Sequence, residues 1–333
     1  MAEKVDIGRR MRMKETFMRY FSFSAIIILV AGFSMSQDNF LGNANLKTLL
    51  SDSAPLLIMA SGMTAILLLG SIDLSMGAAC SVANVITVKV LNHFGPELGS
   101  PFLASMLALA AILAYGAFSG LLLGCIHVKF KVPSFIASLG FMSLWQSVAL
   151  LISPAPESVK KAMWDSVGWF KITFGVLGLP LVLALVVVVV LYVVQNKTEM
   201  GRALYAIGGN ERASRIAGVR VDYTKIMLFV INGMCAALGG FFLAAKLRSS
   251  APTVGDTFTL LIVASVALGG TSLTGGRGSI MGTVIGVFIV SVIRNGMNFI
   301  GVDAYWQNIV FGLFILAAVA ISVDRSARGL VVK

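Results

Sequence analysis

Residues 174–194, FGVLGLPLVLALVVVVVLYVV, form an unbroken stretch without a single charged side chain. At about 1.5 Å per residue, a helix of this length measures about 30 Å, the thickness of the hydrocarbon core of a bilayer. The whole chain has the same character: of its 333 residues, 57% are hydrophobic and 12% are charged. An average soluble domain has about 25% charged residues. The composition therefore predicts an integral membrane protein and excludes a cytosolic enzyme, a disordered hub and a small secreted scaffold.

Ten apolar segments divide the chain, and together they predict an all-α polytopic membrane protein. They are Met18–Met35, Pro55–Gly70, Gly77–Leu91, Phe102–Ile126, Val132–Ile152, Phe174–Val194, Ile226–Ala245, Phe258–Leu268, Ile280–Ile300 and Trp306–Val323. The second, third and eighth segments are short of the roughly 20 residues that cross a bilayer. Unwound backbone at membrane depth is tolerated only inside protein or beside a cavity. We therefore expect short or broken helices at two glycine-rich hairpins, which follow the second and eighth segments.

The charges predict an orientation for these segments. The net charge is +11, and if the N-terminus lies inside, the inside segments hold most of the lysines and arginines while the acids show no such bias. This asymmetry is typical of a protein with both termini in the cytoplasm, and it does not require nucleic-acid binding. The prediction is a cytoplasmic segment at 1–17, a membrane domain at 18–323 and a cytoplasmic tail at 324–333. An external loop at 153–173 and a cytoplasmic loop at 195–225 interrupt the membrane domain.

Two glycine-rich stretches share one pattern. Residues 69–77, LGSIDLSMG, and residues 268–276, LGGTSLTGG, both follow L-G-x-x-x-L-[ST]-x-G. The pattern reflects either chance in a chain rich in glycine and leucine or two related hairpins, and transporters often contain structural repeats with interrupted helices. The second stretch superficially resembles a phosphate-binding loop, but Gly276 and Arg277 replace its Lys and Ser/Thr. We therefore do not expect this chain to hydrolyse nucleotide.

Residues 208–219, GGNERASRIAGV, predict a short helix in the cytoplasmic loop. Asn210 suits the N-cap, Glu211 the first turn and Gly218 the C′ position. An apolar stripe at helical spacing consists of Ala213, Ile216 and Ala217. A helix of about seven residues is not stable alone. It is expected to dock either against the membrane domain or into a partner's groove, the alternative being a solvated connector.

These motifs resemble those of the ribose/galactoside-type permeases of bacterial ABC sugar importers. The resemblance rests on residues 70–77, 206–219 and 267–276, and it covers roughly residues 55–323. The first motif departs from the family's usual form at three positions, namely Ser71, Met76 and Ala78. The short helix departs at two, which are Arg212 and Ser214.

The resemblance implies a ten-helix permease in the bacterial cytoplasmic (inner) membrane that forms the path for a ribose- or galactose-like monosaccharide. It implies pairing with a second permease subunit, as a homodimer or heterodimer, and with a periplasmic or lipid-anchored sugar-binding protein. ATP and Mg²⁺ would bind to a separate tandem-domain ATPase, with no cofactor on this chain. The residues expected to couple to that ATPase are Gly209, Asn210, Glu211, Arg212, Ala213, Arg215, Ile216 and Gly218. Two alternatives stay open: an importer of a nucleoside or other polar metabolite, and an ion-coupled secondary transporter.

Polar and aromatic side chains inside the spans are candidates for the substrate path, because intramembrane polar groups usually face protein or a cavity. They are Asp73, Ser75, Asn84, Phe141, Trp145, Gln146, Asn232, Thr271, Arg294 and Asn298. Asp73 serves either the path or a helix cap, and the three mid-span amides serve either the path or interhelical hydrogen bonds. The aromatic pair on the fifth span forms either a sugar-binding wall or ordinary packing.

Arg294 has three open roles: an ion pair with an acid such as Asp256 or Asp303, a contact with a binding protein, or a contact with a sugar hydroxyl. The ion pair is the expectation. The three cysteines and two histidines lack metal-ligand spacing, and no nucleophile–base motif is present. The sequence thus predicts neither a metal site nor an enzyme.

Overall fold

The computed structural model describes Ser24 and residues 26–322, with side chains through Leu316. The predicted segments 1–17 and 324–333, and the start of the first predicted span, lie outside the described residues. The helices are α1 (Ile26–Ser36), α2 (Asn43–Leu68), α3 (Met76–Leu98), α4 (Pro101–Lys129), α5 (Ser134–Ile152), α6 (Trp164–Gly168), α7 (Leu179–Lys197), α8 (Glu199–Gly209), α9 (Glu211–Ile216), α10 (Val221–Leu247), α11 (Asp256–Leu268), α12 (Ile280–Phe299) and α13 (Ala304–Ser322). Short 3-10 helices cover Lys161–Met163 and Trp169–Lys171, and two antiparallel strands pair, β1 (Thr173–Phe174) with β2 (Leu177–Gly178).

The chain is an all-α polytopic membrane protein, as its composition predicts. Each of the ten predicted apolar segments overlaps one helix in the described part of the chain. Six helices are long and apolar enough to cross a bilayer: α2, α4, α5, α7, α10 and α12. The only strands in the described residues are the two-residue β1 and β2. They occupy the start of the sixth predicted span, so α7 begins at Leu179 and not at Phe174 as predicted.

The prediction of short helices is wrong for two of the three segments. Helix α2 has 26 residues and contains Pro55 in its interior, and α3 has 23 residues. The first half of α2 carries polar side chains such as Lys47 and Asp52, so its apolar pattern begins only at Pro55. Helix α11 is short as predicted, with 13 residues. A short helix therefore precedes only the second glycine-rich hairpin, and the helices beside the first hairpin have ordinary spanning length.

Hydroxyl side chains start several of these helices. Thr198 accepts a hydrogen bond from the amide of Gly201 (3.3 Å) at the start of α8, and Ser279 accepts one from Gly282 (3.0 Å) at the start of α12. Such N-caps satisfy amides that have no partner within the helix. The cap at Ser279 therefore fixes the point where the second glycine-rich stretch becomes a helix.

Helix α10 occupies the centre of the fold and packs against α2, α3 and α4. Glycines permit its close approach to α4: a Cβ on Gly120 would overlap the backbone carbonyl of Phe229. Small residues at interfaces of membrane helices allow such backbone contact. Outer helices carry exposed apolar side chains instead, such as Phe118 on α4 and Val190 on α7. The surface is thus apolar where lipid is the solvent.

The loops gather at two opposite ends of α3. At one end, the amide of Gly276 donates to the carbonyl of Leu68 (2.9 Å). At the other end, Asn92 Nδ2 donates to Glu157 Oε1 (2.7 Å), and the amide of Glu157 donates to Ser250 Oγ (2.9 Å). The first contact joins a segment predicted to be cytoplasmic to the predicted inner end of the second span, and the second group comes from segments predicted to be external.

Candidate functional site

Helix α9 is the short helix that the sequence predicts in the cytoplasmic loop. Asn210 Oδ1 accepts a hydrogen bond from the amide of Ala213 (3.0 Å), which confirms the predicted N-cap. Gly218 adopts a left-handed φ of 82°, and its amide donates to the carbonyl of Arg215 (3.2 Å). These capping interactions delimit a helix of six residues, close to the predicted length. The remainder of the predicted loop is occupied largely by α8, which ends at Gly209.

Ion pairs fasten α9 to the start of α10. Lys225 Nζ lies 2.7 Å from Glu211 Oε2, and Arg215 Nη2 lies 2.6 Å from Asp222 Oδ1 and 3.6 Å from Glu211 Oε1. Asp222, by hydrogen bond and charge, raises the pKa of Arg215 above its ordinary value. Ser214 is buried beneath the helix. Two predicted coupling residues, Glu211 and Arg215, thus contact their own chain.

The apolar stripe of α9 faces away from the membrane domain. Ile216 is 81% exposed, and Ala213 and Ala217 are exposed as well. Arg212 is also exposed and lies beside the stripe. Of the two predicted docking modes, the structure contradicts packing of the stripe against the described part of the membrane domain. The charged face of α9 contacts this chain, and the apolar face is presented outward.

Helix α8 brings α9 close to the end of α2 and to the second glycine-rich hairpin. A Cβ on Gly208 would overlap the carbonyl oxygen of Leu68 and would lie 2.7 Å from the amide nitrogen of Gly276. Those two groups are the ones that hydrogen-bond the end of α2 to the second hairpin. Glycine at position 208 therefore allows three backbones to meet one residue before α8 ends.

The two glycine-rich hairpins begin with the same helix C-cap. Gly70 and Gly270 have φ values of 74° and 83°. The amides of Ser71 and Thr271 donate to carbonyls five residues earlier, at 3.1 and 3.2 Å. This is the Schellman motif, in which glycine supplies the left-handed residue. The geometric repeat aligns Gly70 with Gly270, whereas the shared sequence pattern aligns Gly70 with Gly269. After the caps the two hairpins follow different paths.

Asp73 links the first hairpin to α10. Its Oδ1 accepts from the amide (2.9 Å) and the hydroxyl (2.6 Å) of Ser75, and its Oδ2 accepts from Asn232 Nδ2 (2.8 Å). All three side chains are buried. Both carboxylate oxygens are therefore engaged by this chain, at the level of the middle of α10. The turn-capping alternative accounts for these contacts without a substrate.

An aromatic cluster lies at the α4–α5 contact. The Phe141 and Trp145 rings are 5.9 Å apart between centroids, and the Tyr115 ring is 5.3 Å from that of Trp145. Trp145 is buried, and its Nε1 has no hydrogen-bond partner among the described residues. The neighbouring Gln146 points elsewhere, because its Nε2 donates to Asp256 Oδ2 on α11 (3.0 Å). The predicted trio does not form one wall.

The predicted ion pair of Arg294 is wrong. Its guanidinium lies over the Phe258 ring, 5.4 Å from the centroid, and among the described residues no carboxylate lies within 4 Å of it. The two acids proposed as partners are engaged elsewhere: Asp256 accepts from Gln146, and Asp303 accepts from the amide of Tyr305 (2.8 Å). The register of α12 directs Arg294 towards the face of an aromatic ring on α11, a contact that attracts cations.

The remaining candidates are dispersed. Asn84 Oδ1 accepts from the amide of Ala251 (2.7 Å), and Asn298 Oδ1 accepts from Gln307 Nε2 (2.7 Å). Thr271 is buried, and its hydroxyl has no hydrogen-bond partner within the described chain. The path candidates therefore form the Asp73 cluster, the aromatic cluster and isolated positions, and they do not line one cavity.

Comparison of this sequence with known proteins shows the family to which the chain belongs. The sequence profile of a family described as a branched-chain amino acid transport system, permease component, matches residues 45–319. The chain belongs to this permease family. It is 36% identical over 320 residues to the ribose import permease protein of Escherichia coli (strain K12), over 94% of this chain and 96% of the relative.

Other relatives cover the permease almost end to end. The D-allose transport system permease protein of the same strain is 33% identical over 304 residues, or 91% of each chain. Its galactose/methyl galactoside import permease protein is 30% identical over 331 residues, or 95% of this chain and 98% of the relative. No solved structure gives a significant match. These relatives confirm the family resemblance seen in the sequence motifs, and with it a transport subunit rather than an enzyme.

The structure also assigns contacts to two residues of the permease that no sequence motif indicated. Gln195, at the end of α7, is buried and bonded to both Tyr205 and the start of α12. A polar residue directly after the valine-rich stretch was the one available signal. Tyr205 lies on α8 between two apolar positions, and nothing in its spacing distinguishes it from a packing residue.

Proposed function

We propose that this chain is the membrane-spanning subunit of an ATP-driven bacterial importer of a ribose- or galactose-like monosaccharide, residing in the inner membrane. The names of relatives at 30–36% identity, which import ribose or galactose or transport allose, support this substrate class. The observation that carries the mechanism is the outward apolar face of α9. A permease needs such a contact with the ATPase, because this chain has no nucleotide-binding motif of its own.

In this proposal α9 is the coupling helix. The ion pairs to Lys225 and Asp222 hold it on α10, so that a displacement of α9 moves the permease with it. Ile216 and Arg212 would enter a groove of a tandem-domain ATPase, which binds ATP and Mg²⁺. Closure of that ATPase around nucleotide would pull α9 and switch the permease between inward-facing and outward-facing states.

The proposed topology has ten spans with both termini in the cytoplasm. The gathering of loops at two ends of α3 supports it, because each end unites segments that the charge pattern assigns to the same side. The end that carries α9 would face the cytoplasm. The end that carries Glu157 would face the periplasm and receive a sugar-binding protein. A second permease subunit would complete the path.

The substrate path is proposed to pass the Asp73 cluster and the aromatic cluster between α4 and α5. Asp73 and Asn232 occupy the middle of the fold, where intramembrane polar groups mark transport pathways. An apolar cavity of about 20 Å³ between α2, α7, α8, α10 and the start of α12 is lined by none of the path candidates, so it is not proposed as the sugar site.

A second candidate is a branched-chain amino acid, because the family description names that substrate. Reconstitution distinguishes the candidates. The complex purified from its native membranes through a tag on this chain is placed in vesicles. Uptake of labelled D-ribose, D-galactose, D-allose, L-leucine and uridine is then measured with trapped ATP, and separately with an ion gradient but no ATP.

We expect ATP-dependent accumulation of a sugar when the matching binding protein is present. Accumulation of leucine or uridine alone would replace the sugar assignment, and uptake driven by the ion gradient alone would contradict an ATP-driven importer.

The coupling assignment has its own test. Ile216→Asp places a charge at the centre of the exposed stripe, and Ile172→Asp makes the same change at an exposed isoleucine at the opposite end of the fold. We expect the co-purified ATPase to be lost only from Ile216→Asp. Equal retention of the ATPase by both variants would contradict the role of α9.

A further inference from the structure

Three hydrogen bonds form an unbroken chain between α7, α8 and the second glycine-rich hairpin, defined here as residues 269–279. The amide of Ile280 donates to Gln195 Oε1 (3.0 Å), and Gln195 Nε2 donates to the hydroxyl of Tyr205 (2.6 Å). The hydroxyl of Tyr205 in turn donates to the carbonyl oxygen of Gly278 (2.8 Å). Each link has one donor and one acceptor, so the direction of every bond is fixed.

These bonds lie where water does not replace them easily. Gln195 is buried, and Tyr205 is half-buried. Removal of the Tyr205 hydroxyl would leave the Gln195 amide and the Gly278 carbonyl without their partners. Buried polar groups that lose a partner retain the cost of desolvation. The second hairpin is therefore held to α8 by directional bonds as well as by apolar contact.

Along the chain, helix α8 leads directly from this bond chain to α9. Tyr205 lies four residues before Gly209, where α8 ends, and Glu211 starts α9 two residues later. One turn beyond Tyr205, Gly208 packs on the hydrogen bond between Leu68 and Gly276. A shift of α9 along or across α8 therefore reaches the second hairpin at two points.

We propose that Tyr205 and Gln195 are positioning residues that transmit the movement of α9 to the second hairpin during transport. This inference rests on the proposed role of α9 as the contact with an ATPase. When α9 moves, the Tyr205 hydroxyl carries the Gly278 carbonyl with it, and Gln195 keeps the start of α12 in register with the end of α7. The second hairpin then moves together with α8.

The test compares Tyr205→Phe with Tyr192→Phe. Both changes remove one hydroxyl, but Tyr192 lies on the exposed side of α7 and its hydroxyl makes no hydrogen bond within the described residues. Each change is placed in a chain that carries Cys125→Ser and Thr274→Cys. Thr274 is an exposed residue of the second hairpin, and the two other cysteines, Cys80 and Cys235, are buried.

The native complex is labelled with a fluorescent maleimide, once without nucleotide and once with ATP, Mg²⁺ and orthovanadate. We expect the labelling rate at position 274 to differ between the two states in the parent chain and in Tyr192→Phe. In Tyr205→Phe the effect of nucleotide on this rate, expressed as the ratio of the two labelling rates, should be about fivefold smaller. Residues on a coupling route change coupling by factors of this size. A merely structural role would alter the rate in both states and leave their ratio unchanged.

Two further measurements complete the design. In vesicles loaded with ATP, we expect Tyr205→Phe to move about fivefold less D-ribose, the first sugar used, per ATP hydrolysed. Gln195→Met is an independent break in the same bond chain, and the double variant should be no worse than either single one, since residues that act as a unit are not additive.

The outcomes separate this inference from the proposed function. If Ile216→Asp releases the ATPase while Tyr205→Phe and Gln195→Met keep the full nucleotide-dependent difference, the inference is wrong and the proposed function stands. It is also wrong if the parent chain with bound ATPase shows no difference at position 274. If Ile216→Asp keeps its ATPase, the proposed role of α9, on which this inference rests, fails first.

Discussion

Lys225 of α10 and Glu211 of α9 form an ion pair, with Lys225 Nζ lying 2.7 Å from Glu211 Oε2. Lys225 is buried, and Glu211 is close to half exposed. The pair therefore combines a lysine that has lost most of its water with a carboxylate at the surface. Because a six-residue helix has no stability of its own, this contact and the Arg215–Asp222 pair together hold α9 against α10.

Glu211→Gln should loosen α9 from α10. The uncharged amide keeps the shape of the side chain but removes its attraction to Lys225, at a cost of about 1 kcal/mol for a partly exposed pair. Amide hydrogen exchange across residues 211–217 should accelerate by about fivefold as a result. The control is Glu199→Gln, whose partner Arg202 lies 3.9 Å away and is largely exposed. Similar exchange in the two variants would contradict the role of the Lys225 pair.

The caps of α9 were predictable from the sequence, but the ion pairs that hold it on α10 were not. Asn210 and Gly218 follow local rules of helix termination, which depend on residues a few positions apart. The partner of Glu211 lies 14 residues away on another helix. The direction of the apolar stripe depends on the same tertiary contact, which is why the sequence alone left two docking modes open.

Gly208→Ala should destabilise the permease, whereas Gly209→Ala should not. A Cβ at position 208 would overlap the Leu68 carbonyl oxygen, while at position 209 nothing lies within 4 Å. Overpacking of this kind costs about 1–3 kcal/mol, and backbone atoms cannot yield as a flexible side chain does. The midpoint of thermal unfolding in detergent should fall by several degrees in Gly208→Ala only. Equal midpoints would show that α8 can move away from Leu68 without loss.

Asp73→Ala should also lower that midpoint. The change leaves the Ser75 hydroxyl and the Asn232 amide buried without their acceptor, at a cost of about 1–3 kcal/mol. Asp165→Ala, at an exposed position of α6, is the matched control and should be neutral. In a double-mutant cycle with Asn232→Ala, a coupling energy above about 0.5 kcal/mol would support the direct bond, and additive losses would argue against it.

The family and the helices were predictable, while the arrangement of the path candidates was not. Hydropathy reports one-dimensional patterns, so it located helices but missed the polar first half of α2. Arg294 illustrates the limit further. Its charge predicted acids on neighbouring segments as partners, yet the register of α12 placed it over Phe258. Side-chain pairing between helices depends on rotation and depth, which no local pattern encodes.

The contact of the predicted external loop with α3 should depend on pH. Hydrogen bonds from Lys89 (2.6 Å), and then from Asn92 (2.7 Å), hold the pKa of Glu157 below its ordinary value of 4.5. A carboxyl group with a lowered pKa stabilises the folded state above its unfolded pKa, and this contribution is lost as pH falls through the folded pKa. Docking of the loop should therefore be complete at neutral pH and weaken from about pH 4.5 downwards.

Hydrogen exchange of the amides of residues 157–160, corrected for intrinsic rates, measures this change between pH 6 and pH 3.5. Exchange should increase at the lower pH in the parent chain. Glu157→Gln should show raised exchange at both values and little difference between them, since its side chain does not titrate. Glu97→Gln, at an exposed position near the end of α3, should behave like the parent. If Glu157→Gln kept the full pH dependence, another group would control the docking of this loop.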